Sequence, residues 1–127
     1  MTVKLKRAYS PAEPQDGKRY LVDRLWPRGV RKDTLKLDGW LKDLAPSTEL
    51  RRWYNHDPER WDEFQVRYQA ELEASAQQAT LQDLAKESRE ATVTLIFAAK
   101  DEDRNEAVVL KEVLTEMHSG RPRRPSG

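Results

Sequence analysis

The chain has 127 residues, 35% of them charged and 37% apolar, with a formal net charge of +1. That length suits one domain around a single core, and the near-zero charge excludes a global field for nucleic acid or acidic membranes, so any basic site must be local. The lack of cysteine excludes disulfides, thiolate chemistry and cysteine zinc sites, and the two histidines cannot form a three-histidine metal centre.

Val3, Leu5 and Arg7 alternate with Lys4, Lys6 and Ala8, which predicts a first strand. Ser10 to Lys18 holds two prolines and an Asp-Gly pair and reads as a loop. A second strand is expected over Arg19 to Trp26, followed by a turn at Pro27 to Gly29. Asp23 and Arg24 interrupt its apolar run, and a charge in a buried strand must be paired or face a cavity. The leucines at 35, 37, 41 and 44, with Trp40, do not separate strand from short helix.

Pro46-Ser47 opens a helix with an apolar face at Leu50, Trp53 and Tyr54. Asp57 as N-cap and Pro58 at the first helical position open the next. That helix carries Trp61, Phe64, Tyr68 and Leu72 as one packing stripe, and Thr80 is placed to cap a further helix with Leu81 and Leu84. Thr92 to Ala99 is a nearly continuous apolar run, as a central parallel strand requires. Asp103 and Glu106 form a capping-box pattern before a last helix with Ala107, Leu110, Leu114 and Met117 on one face. Gly120 stops it, and residues 119–127 read as a disordered basic tail.

Strands separated by helices predict a small single-domain α/β layer fold over residues 1–118, with a mostly parallel sheet flanked by helices. The strands at 20–26 and 92–99 are expected to be parallel neighbours. The link between the first two strands, about a dozen residues, is near the minimum for a parallel crossover. No apolar run is long enough for a membrane span, and the charged N-terminus lacks a signal-peptide core, so a cytoplasmic protein is expected.

In open parallel sheets, ligands bind beyond the carboxyl ends of the strands. Parallel neighbours ending at Trp26 and Ala99 would bring together Trp26, Arg28, Gly29, Lys100 and Asp101, with Arg24 and Asn105 nearby. Arginines, a lysine and a helix N-terminus suit a phosphate or carboxylate. Trp26 offers a ring to stack on, and Asp23, His56 and Asp101 are candidates for proton transfer. Plainer readings stand beside these: a structural Asp23–Arg24 pair, a solvated turn at Lys100-Asp101, and a helix-end role for His56. There is no Gly-rich phosphate loop, nucleophile elbow or metal-ligand spacing.

The runs LVDRLWPRGV at 21–30, LAPS at 44–47, HDP at 56–58, AAKD at 98–101, and Asn105 with Ala107 to Leu110 resemble the YeaO-like branch of the family of domain of unknown function 488. The resemblance covers Val3 to Met117 in order and spacing, and it implies a compact α/β domain with no established activity. Asp23, Arg24, Trp26, Arg28, Gly29, Ser47, His56, Lys100, Asp101 and Asn105 stand at matched positions, Ser47 by resemblance alone. Arg104 and Glu106 depart from the pattern, at positions often held by histidine or a small amide.

The leading expectation is an anion site for a phosphorylated or nucleotide-like small molecule, with no cofactor or metal assigned and the question of catalysis open. The alternatives are a nucleic-acid-binding or regulatory module using Arg24, Arg28, Arg31 and the basic tail, and a protein-interaction domain with exposed aromatics.

Overall fold

The computed structural model describes residues 2–118. Four strands, β1 Thr2–Arg7, β2 Lys18–Leu21, β3 Gly39–Trp40 and β4 Thr92–Phe97, form one sheet in the order β1-β4-β2-β3. Every neighbouring pair is parallel. The central place falls to the most apolar long segment: unlike β1 and β2, β4 has no charged side chain to keep out of the core. β1 and β2 never pair with each other; both flank β4, so their short link spans two sheet positions.

Alternate residues of β4 feed two layers. Val93, Leu95 and Phe97 join the main core with helices α2 Thr48–Tyr54, α3 Trp61–Glu73, α4 Ser75–Glu90 and α5 Glu106–His118. Ile96 joins a smaller cluster on the other face with Ala8, Leu21 and Leu35, the last from the four-residue helix α1 Lys32–Leu35. This thinner face also holds a buried charged group: Asp16 binds Arg19 at 2.6 Å and Lys6 at 2.9 Å. Thr94 Oγ1 donates to the Asp16 carbonyl at 2.7 Å. Gly17 must stay glycine, since its φ is +64° and a Cβ would lie 2.2 Å from the Thr92 carbonyl oxygen.

Several expected boundaries move. The second strand stops at Leu21 rather than Trp26, because the next charged residue, Asp23, turns its carboxylate onto the Ala98 N–H just past β4 and the chain leaves the sheet. β4 stops at Phe97, where Arg7 takes the carbonyls of Ala98 and Ala99 at 3.1 and 3.0 Å. The ambiguous 35–44 stretch contains α1, β3 and a 3-10 turn at Lys42–Leu44. Asp57 does cap, but it opens a 3-10 turn, Pro58–Arg60, that runs into α3. Thr80 caps nothing: α4 already begins at Ser75 after the extended residue Ala74. The cap of α5 is Asn105, whose Oδ1 accepts the Val108 N–H, in place of the Asp103 capping box. Gly120 and the tail at 119–127 lie outside the described residues. No helix is long and apolar enough to cross a membrane, among the described residues.

Candidate functional site

After Leu21 the chain keeps one more bond to β4, from the Val22 N–H to the Ile96 carbonyl, before it bends away. Asp23 follows, and its Oδ2 accepts the Ala98 N–H at 2.9 Å. Its carbonyl accepts the Trp40 indole N–H at 2.7 Å. The bend therefore fixes Asp23 at the carboxyl end of β4, the end of a parallel sheet where ligands bind. The turn that follows is built by Gly29 at φ +79°, with Val30 N–H to the Pro27 carbonyl and the Trp26 indole N–H to the Val30 carbonyl. Such a turn places Arg28 at its tip, exposed.

A cavity of about 710 Å³ opens at this end of the sheet, within the range for small-molecule sites. Of the expected residues, Asp23, Arg24, Trp26, Arg28, His56, Lys100, Asp101 and Asn105 all line it. Gly29 shapes the adjoining turn without lining the cavity. Ser47 lies elsewhere: its hydroxyl donates to Glu71 at 2.6 Å and accepts from the Leu50 N–H as the cap of α2. Arg51, Tyr54, Phe64 and Glu106 line the cavity too and were not among the expected site residues. Helical spacing puts Arg51, Tyr54 and Phe64 on elements that sequence periodicity assigns only to packing. Glu106 follows directly on Asn105 and departs from the family pattern there, and in the sequence it read as a capping-box partner of Asp103.

Five cations and three carboxyl groups surround this space. Arg24 donates to the carbonyls of Pro46 and Ala45 at 3.3 and 3.4 Å, which leaves other guanidinium donors unspent. Among the described residues, Arg24, Arg28, Arg51 and Lys100 form no salt bridge; Arg104 pairs with Asp101 at 3.2 Å. Asp101 is a loop-closing carboxylate. Its Oδ1 accepts the N–H groups of Asp103 and Arg104, and the Asp103 N–H above all holds it below the ordinary carboxylate range. Asn105 is buried, and its amide is spent on the Asp101 carbonyl and the Val108 N–H. That leaves it a positioning part.

The floor differs from the rim. Asp23 Oδ1 is buried with no donor from the backbone or from any cation. Glu106 lies against it, and burial first, then the hydrogen bond to Asp23, hold the Glu106 carboxyl well above its usual range. His56 sits exposed at φ +54°, a left-handed conformation costing a non-glycine residue about 1–2 kcal/mol, and its ring lies 6.4 Å from that of Tyr54. Among the described residues, no group of histidine, aspartate or glutamate side chains is gathered to hold a metal ion.

The model of the family DUF488-N3i, described as the inactive DUF488-N3 subclade, matches residues 2–126. The uncharacterised protein Rv3073c of Mycobacterium tuberculosis is 48% identical over 112 residues, 88% of this chain and 92% of its own. The uncharacterised protein YeaO of Escherichia coli is 44% identical over 115 residues, 90% of this chain and 97% of its own. No solved structure matches this chain.

Proposed function

This chain belongs to the DUF488-N3i family, the inactive DUF488-N3 subclade with YeaO among its relatives, and on that footing we propose that it is a cytoplasmic protein that binds a phosphate-bearing, nucleotide-like small molecule and does not turn it over. The observation that carries this reading is the set of four cations, Arg24, Arg28, Arg51 and Lys100, lining one cavity without a salt-bridge partner among the described residues. Guanidiniums bind phosphate by paired, charge-assisted bonds. Burial and the bond to Asp23 raise the Glu106 carboxyl and so favour its neutral form, which lessens its repulsion of an anion. Binding without turnover accords with the family's description, and with Asp101 being committed to its own loop. A nucleic-acid surface is the weaker reading, since these cations line a concave space and the net charge is only +1.

The test is thermal unfolding with inorganic phosphate and with nucleoside monophosphates. A ligand at a hundred times its Kd stabilises by about 2.7 kcal/mol. Arg28→Ala and Lys100→Ala should each abolish that stabilisation while changing the stability of the free protein by less than about 1 kcal/mol, as exposed charges do. Arg28→Lys should restore little, because an ammonium lacks the fork. Variants that respond as the parent does would remove the reading.

A further inference from the structure

The turn after α2 carries a side chain that its backbone does not suit. The Asp57 N–H donates to the Tyr54 carbonyl at 3.0 Å and closes a turn over residues 54–57. Its two central residues, Asn55 and His56, both have positive φ, +48° and +54°, the pattern of a type I′ turn. Such a turn calls for asparagine followed by glycine. Asn55 fits, since it ends α2 in the left-handed region with its N–H on the Arg51 carbonyl at 3.0 Å. His56 stands where glycine would be strained least. Nothing in the turn asks for an imidazole there. The side chain is exposed, and among the described residues it makes no hydrogen bond and no salt bridge. Its ring neighbour is Tyr54, tilted by 50° at 6.4 Å. What His56 does have is a place on the cavity wall, with Arg51 and Tyr54 from the last turn of α2.

We propose that His56 is a ligand-binding residue of this cavity: its imidazole donates a hydrogen bond to an oxygen of the bound phosphate, on the same wall as Arg51, and the left-handed backbone is borne to aim it there. This rests on the anion-binding reading above and adds a contact that the four cations leave out. A residue that breaks the local turn rule without a structural return is expected where a ligand supplies the return. An imidazole has at least one N–H in either protonation state, so the contact does not depend on its charge. A bond from it to a phosphate is of the charge-assisted kind, because the acceptor is ionised.

The test sets stability against binding, with thermal unfolding and isothermal titration calorimetry on the whole chain and with inorganic phosphate and AMP as the probes. His56→Gly suits the turn and removes the imidazole. It should melt at or above the parent's temperature, because relief of the backbone offsets the greater freedom of glycine in the unfolded chain. It should nevertheless bind both probes at least about tenfold more weakly, the loss of one hydrogen bond to a charged group. His56→Ala keeps the strained backbone and should lose affinity by the same factor while melting no higher than the parent, so that binding follows the imidazole and not the turn. His56→Gln carries an N–H at similar reach and should bind more tightly than either. A His56→Gly variant that binds both probes within about threefold of the parent, or that melts well below it, overturns the proposal and leaves the anion site standing. Loss of AMP affinity with phosphate affinity unchanged places the imidazole on the base and overturns the phosphate contact. If the parent binds neither probe, the anion-binding reading falls and this inference falls with it.

Discussion

The Glu106 carboxyl is hydrogen-bonded to that of Asp23, and the folded chain keeps there a proton that the unfolded chain releases. A carboxyl raised by folding contributes stability that is fully present below its unfolded value, near 4.5, and is lost as pH rises through the raised folded value. Glu106→Gln keeps an N–H for Asp23 and cannot ionise. It should therefore melt above the parent at about pH 8, with the difference shrinking toward about pH 4. Equal melting temperatures across that range would mean that Glu106 titrates as it would in water.

The buried charged group on the opposite face works in the other direction. Burial pushes the Asp16 carboxyl up, but bonds from Lys6, the Glu13 N–H and Arg19 outweigh it, and the carboxyl ends below its ordinary range. Its contribution is present above the unfolded value, near 3.8, and is lost as pH falls through the lower folded value. Asp16→Ala leaves Arg19, only 4% exposed, without its carboxylate. The expected cost in urea unfolding at neutral pH is about 3 kcal/mol, typical of removing one partner from a buried pair. A cost under about 1 kcal/mol would be that of a surface pair and would contradict the burial.

Asp57 makes a smaller, local contribution. Its Oδ1 accepts the Glu59 N–H at 3.0 Å at the start of the turn that leads into α3. Asp57→Ala should lower stability by about 1 kcal/mol through the lost cap. An unchanged midpoint of unfolding would assign the start of α3 to Pro58 and to packing alone.

How legible each part was follows from the range of the forces involved. Periodicity found the α3 stripe of Phe64, Tyr68 and Leu72 because one helix presents all three to one core. The β-branched, uncharged run of Thr92–Phe97 announced a central strand, and its parallel pairing with β2 is what the structure has. The cap at Asp57 and the helix start at Pro46-Ser47 were visible for the same reason: each is set by bonds within three residues.

The sequence by itself determined the α/β class, the parallel neighbours, and the gathering of Asp23, Arg24, Arg28 and Lys100 at one end of the sheet. The tertiary structure alone decided where β2 ends and which carboxyl faces which. Asp23 leaves the strand for the Ala98 N–H, 75 residues away, and no local propensity encodes such a bond. Asp101 looked like a proton-transfer group and Asn105 like a ligand group in the sequence, yet the loop that holds them engages both in its own hydrogen bonds. Glu106 read in the sequence as the second half of a capping box with Asp103. Burial against Asp23 favours its neutral form, because desolvating a second negative charge beside Asp23 is costly.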